Sequence, residues 1–174
     1  MNVVKPVFLP VLGVLGMAAV LLSLCGCGGG SGSDPAPQTV TTTGRVQSLA
    51  FSLTTQNAFQ RGEPVPLAFT VTNVGDQSVT YTFGGGSVHS FEVVRDGVVV
   101  FRRPTAGGAD YSEVEFGSGM SFTISDTWNQ VDDQGQQVPP GKYQIQAFFR
   151  AGTINGVPIS YRTLSSGPVE VTIR

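Results

Sequence analysis

The chain reads as an all-β protein, an immunoglobulin-like antiparallel β-sandwich without a disulfide. From Val46 onward, apolar residues recur at every second position and no run keeps a helical spacing. Turn-forming Gly, Pro, Asn and Asp interrupt that pattern about every 8 to 12 residues, the spacing of short sandwich strands. The pairs Asp96-Gly97 and Asn155-Gly156 sit between apolar runs, where a two-residue hairpin turn needs positive φ at both central positions. A closed barrel is the alternative arrangement of the same strands.

Ahead of this region, Met1 to Gly26 has the parts of an export signal: Lys5, an apolar stretch from Val7 to Leu24, and small residues at the cut. The run Leu24-Cys25-Gly26-Cys27 resembles a bacterial lipobox, with Leu24 three positions before Cys27 and Gly26 directly before it. That resemblance implies cleavage before Cys27, acylation of Cys27 and a membrane lipid as its partner. An uncleaved membrane anchor fits less well, because Pro6, Pro10, Gly13 and Gly16 break a long helix and no Lys or Arg cluster follows. Cleavage also removes Cys25, and the sulfur of Cys27 is then in a thioether, so the mature chain forms no internal disulfide. Residues 27–43 follow as a flexible Gly/Ser/Pro/Thr tether, and 44–174 as the folded domain. Gly28, not aspartate, follows Cys27, which favours the outer membrane or cell surface over the inner membrane within the envelope.

About 130 residues remain for folding, enough for one domain with its own core. The net charge is −2, one unit more negative without Lys5, and the basic residues are scattered apart from Arg102-Arg103. Nucleic acid has little electrostatic foothold on such a chain.

The expected strands are Leu49 to Thr54, Val65 to Asn73, Ser78 to Phe83, Ser90 to Arg95, Val98 to Arg103, Met120 to Trp128, Lys142 to Arg150, Ile159 to Arg162 and Val169 to Ile173. In the second of these, Leu67, Phe69 and Val71 share one face while Ala68, Thr70 and Thr72 share the other, so one face is buried.

A search for chemistry finds little. Catalysis needs a nucleophile beside a base, and His89, the single histidine, reads as a solvated residue at a strand end. Asp132 and Asp133 lie near Gly135, but their spacing is not that of a calcium loop and they read as a polar turn. Cys25-Gly26-Cys27 offers only two metal ligands. Glu113 and Glu115 alternate with Val114 and Phe116, which puts both on a solvent face. Trp128 stands at even spacing with Phe122 and Ile124 and reads as a core plug between sheets, with a binding platform as the other possibility. Gly84-Gly85-Gly86 follows a strand and reads as a flexible turn, not a phosphate loop. No metal and no cofactor is expected, and the protein reads as a non-enzyme.

Four blocks in order, PLAFTVTNVGDQSVTYTF, SFEVVRDGVVVFRR, the segment ending in Asp126-Thr127-Trp128, and VPPGKYQIQAFF, resemble the BsuPI family, named for an intracellular proteinase inhibitor. The resemblance implies a proteinase inhibitor or protein-binding module; it supplies no inhibitory residues that transfer position by position. The segment PTAGGADYSEVEF departs from the family in being glycine-rich, and the export signal departs from its intracellular namesake. Rigid loops at Pro139-Pro140 and Pro104 are the candidates for contact with a protease, although Gly107-Gly108 loosens the second. The other reading is a structural module of the envelope that pairs with a partner protein through a sheet edge. Carbohydrate binding is a third, and Tyr81, Phe83 and Tyr111 are too few aromatics to argue for it.

Overall fold

The computed structural model describes residues 36–105 and 107–174. Its strands are β1 (Thr39–Val46), β2 (Leu49–Gln56), β3 (Ala58–Phe59), β4 (Val65–Asn73), β5 (Val79–Gly86), β6 (His89–Arg95) and β7 (Val98–Arg102). They continue as β8 (Gly107–Phe116), β9 (Ser121–Trp128), β10 (Gly141–Phe149), β11 (Thr153–Ile154), β12 (Val157–Pro158) and β13 (Val169–Ile173), with a 3₁₀ turn at Tyr161–Thr163. The first sheet has the order β1-β2-β4-β9, the second β3-β13-β10-β6-β7 and the third β12-β11-β5-β8. All pairings are antiparallel except the short one between β13 and β3. The sheets are open, with β1 and β9 at the edges of the first, so the sandwich holds and the barrel does not.

Period-two burial sets the two layers. Val65, Leu67, Phe69 and Val71 of β4 are buried, and Tyr143, Ile145, Ala147 and Phe149 of β10 supply the facing layer. Phe51 links them, stacked on Phe69 at 6.2 Å and tilted against Phe149 at 6.4 Å. The third sheet joins the same core, because Tyr81 meets Phe149 edge-on at 4.9 Å and Phe116 meets Phe122 at 5.4 Å. With no disulfide among these strands, apolar burial at about 25 cal/mol per Å² is the main force holding the layers together.

The DG and NG pairs turn as expected: Asp96 and Gly97 have φ of 51° and 78°, Asn155 and Gly156 49° and 75°. Three expectations need correction. β1 begins at Thr39, inside the stretch read as tether to Thr43, because its backbone pairs with β2 and Thr41 Oγ1 meets Thr54 Oγ1 at 2.8 Å. The triple glycine is not a turn, since β5 runs through it to Gly86 with a register shift between Gly84 and Gly86. Ile159 to Arg162 is not a strand: Pro158 closes β12, and the chain then winds through the 3₁₀ turn so that Leu164 reaches the core with no exposed surface.

Gly44 sits where the loop after the 3₁₀ turn crosses β1. A Cβ there would stand 2.1 Å from the carbonyl oxygen of Ser165, so backbone would have to move. Gly44→Ala is expected to cost about 2 kcal/mol by overpacking, measured by urea denaturation of the full chain.

Candidate functional site

One end of the sandwich is built of loops that brace one another. The β9–β10 connection runs from Asn129 to Pro140, and its anchor is Gln130, which has no exposed surface. The Gln130 amide donates to the carbonyls of Gln60 at 2.8 Å and Glu63 at 2.6 Å, and its Oε1 accepts the Gly62 N–H at 2.8 Å. A buried amide satisfied on both sides ties two loops nearly seventy residues apart in sequence. The Val138 N–H returns to the Gln130 carbonyl at 2.9 Å, and Gln137 Nε2 reaches the same oxygen at 2.9 Å. Tyr143 Oη donates to Pro139 O at 2.5 Å, leaving Pro139 and Pro140 exposed on a fixed base.

Asp132 and Asp133 are part of this brace. Asp132 Oδ1 accepts the N–H groups of Gln134 and Gln136 at 2.9 and 2.8 Å, closing a turn in which Gly135 has φ of 75°. Asp133 accepts the Arg102 N–H at 2.7 Å and donates its own N–H to Val100 O, pinning the loop to β7. The polar-turn reading stands, and no group of three or more acidic, His or Cys side chains that could hold a metal occurs among the described residues.

His89 is the correction of most consequence. It is buried, 7% exposed, and its Nε2 lies 2.7 Å from Asp126 Oδ2. His89 lies on the inward face of β6 with Phe91 and Val93, and Asp126 on the inward face of β9 with Ile124 and Trp128, so the pair crosses the sandwich. Arg103 Nε donates to the same Oδ2, and its Nη1 donates to Ser87 Oγ at 2.9 Å and to Pro104 O at 3.2 Å. Burial pushes the Asp126 carboxyl up, but the bond from His89, the Thr127 amide and the Arg103 charge outweigh it and hold the carboxyl below its ordinary range. An ionised carboxylate only accepts, so His89 Nε2 carries the proton. The imidazole is thereby committed to an ion cluster that fixes the root of the Pro104 loop.

The other candidates fall as follows. Trp128 is fully buried, edge-on to Tyr143 at 5.3 Å, with its indole N–H on Val131 O at 2.8 Å, which is the core role. Glu113 and Glu115 are exposed on β8. Tyr81 is buried and stacked on Phe83, so neither forms an open platform, and Tyr111 is placed on β8 by its backbone alone. Cys27 and the expected signal lie outside the described residues.

Gln130, Asp126 and Arg103 were not singled out from sequence. Asp126 had a signal, a carboxylate in step with Phe122, Ile124 and Trp128 on a face that must be buried. Gln130 had none, because its partners come from a distant loop.

Fold and loops together define a small β-sandwich module that presents a braced loop end. The family model BsuPI, described as intracellular proteinase inhibitor, matches residues 52–154, and the chain belongs to that family. Comparison with curated protein sequences finds no match. Among solved structures, a β-glucosidase from Listeria innocua in complex with glucose is similar at 12% identity and a TM-score of 0.39, over 79% of this chain and 16% of that one. A β-glucosidase from Erythrobacter marinus gives 12% and 0.38 over the same shares. The CARDB domain of a Pyrococcus furiosus protein, in complex with di-metal ions, gives 11% and 0.36 over 79% of this chain and 89% of that one. The chain thus spans about a sixth of the glucosidases, and likenesses at these scores carry no argument.

Proposed function

We propose that this chain is a membrane-anchored lipoprotein of the cell envelope whose BsuPI domain binds a proteinase through the braced loop at Pro139-Pro140, as an inhibitor and not an enzyme. The observation that supports it is the brace itself. A segment that fills a protease cleft must be ordered before binding, or the ordering cost is subtracted from affinity. Here Gln130, Asp133 and Tyr143 supply that order without a disulfide. The anchor is read from Leu24-Cys25-Gly26-Cys27, and a lipid on Cys27 contributes about 0.8 kcal/mol per buried CH₂. The protein partner would then be met outside the cytoplasm, at the outer membrane or cell surface.

The test is titration of the full chain, in neutral detergent, against a panel of secreted serine proteinases. Activity is expected to fall in proportion to added protein and level off near one equivalent, with Gln130→Ala weakening inhibition about tenfold by loosening the loop. A panel left uninhibited by correctly folded protein contradicts the reading.

A second reading rests on β9, an eight-residue edge strand without proline. It could take a strand from an envelope protein, making the domain an assembly module with no inhibitory activity. Recovery of one reproducible envelope partner, lost when Thr123→Pro blocks the edge, would favour it.

A further inference from the structure

The outer face of the second sheet carries a continuous chain of cationic and aromatic side chains. Glu92 of β6 has 7% of its side chain exposed and accepts on one oxygen from both Arg102 Nε, at 2.8 Å, and Arg162 Nη2, at 3.0 Å. Arg162 Nη1 is 3.3 Å from the other oxygen. The Arg162 guanidinium lies 5.9 Å from the Phe148 ring centre and 5.6 Å from that of Tyr161, and Arg150 lies 5.6 Å over the same Tyr161 ring.

Glu92 lies beneath the arginines that neutralise it, so solvent meets the guanidinium groups. The side chains of Arg102 and Arg162 are 51% and 50% exposed. Among the described residues, the Nη groups of Arg102 and the guanidinium of Arg150 have no hydrogen-bond partner. Asp133 stands at the margin with one oxygen engaged by the Arg102 N–H. A chain of net charge −2 therefore gathers three arginines on one patch. Arginine and tyrosine are the residues that dominate binding hot spots, and the guanidinium fork pairs with carboxylates bidentately.

The aromatic rings separate the two sources of negative charge. Phe148 and Tyr161 lie against the guanidinium groups of Arg162 and Arg150. This alternation of arginine and aromatic rings is the composition of a protein-binding hot spot, which suits a protein segment better than headgroups of the bilayer.

We propose that Arg102, Arg150, Arg162 and Tyr161 form a docking surface for an acidic, carboxylate-rich segment of a partner protein. The surface meets the Pro139-Pro140 loop only where the Arg102 backbone N–H reaches Asp133, a bond that side-chain variants keep, so it stands or falls independently of proteinase inhibition. The test is fluorescence anisotropy of a labelled oligo-glutamate peptide with the full chain in neutral detergent. Binding is expected to weaken with salt, about threefold in Arg150→Gln and about tenfold in the Arg102→Gln/Arg150→Gln double variant. Arg150→Gln leaves the Glu92 pairs intact, which keeps loss of fold out of the result. Arg45→Gln, which removes an exposed arginine from β1, should change nothing. Three results would each overturn the proposal: equal weakening by Arg45→Gln, no binding above that of oligo-lysine, or tighter, Arg150-dependent binding of short-chain phosphatidylglycerol.

Discussion

Trp128→Ala is expected to destabilise the domain by about 4 kcal/mol, within the range for truncating a buried aromatic. The indole fills the space between the two layers with no exposed surface, opposite Val65 on β4 and against the Tyr143 ring. Removing it leaves a cavity that the sheets cannot close without shifting register, and strips the Val131 carbonyl of its donor. The loss should spread to the loop, because Tyr143 also holds Pro139. Urea denaturation of the full chain measures the effect, with Val98→Ala, at a site 64% exposed, as a control expected to stay within about 0.5 kcal/mol.

The second large effect is at Asp126. Asp126→Ala is expected to cost about 3 kcal/mol near neutral pH, at the low end for breaking a buried pair because a fifth of the side chain is open to water. It leaves Arg103 without its carboxylate and His89 without its acceptor. The folded-state pKa of Asp126 is lowered, so its contribution is present above the ordinary value of 3.8 and is lost as pH falls through the folded value. Glu92 behaves alike: burial pushes its carboxyl up, but Arg162 and Arg102 hold it below 4.5. Wild type should therefore lose stability steeply below about pH 4, while Asp126→Asn, already without the charge, should lose less. Parallel acid limbs for the two proteins would refute the assignment.

Much of the fold is legible where alternation is strict. Val65–Asn73 and Val169–Ile173 fall on the expected residues because Val65, Leu67, Phe69 and Val71, and Val169, Val171 and Ile173, alternate as buried apolar side chains. β1 is hidden because its only large apolar residues are Val40 and Val46, and pairing with β2, not a buried face, makes it a strand. The glycine run misleads in the other direction, since residues without side chains can still pair their backbones. At the site, alternation placed Trp128 correctly and would have placed His89 and Asp126 on facing walls. The brace around Gln130 is a matter of tertiary contact alone, and no local pattern announces it.

The central claim is that the Pro139-Pro140 end of this BsuPI domain meets a proteinase. A photoreactive residue placed at position 140 of the full chain, and at position 45 as control, tests it in living cells by mass spectrometry of the adducts. Adducts with a proteinase from position 140 and not from position 45 are the expected result; adducts from 140 that contain no proteinase, or the same adducts from both positions, would contradict it.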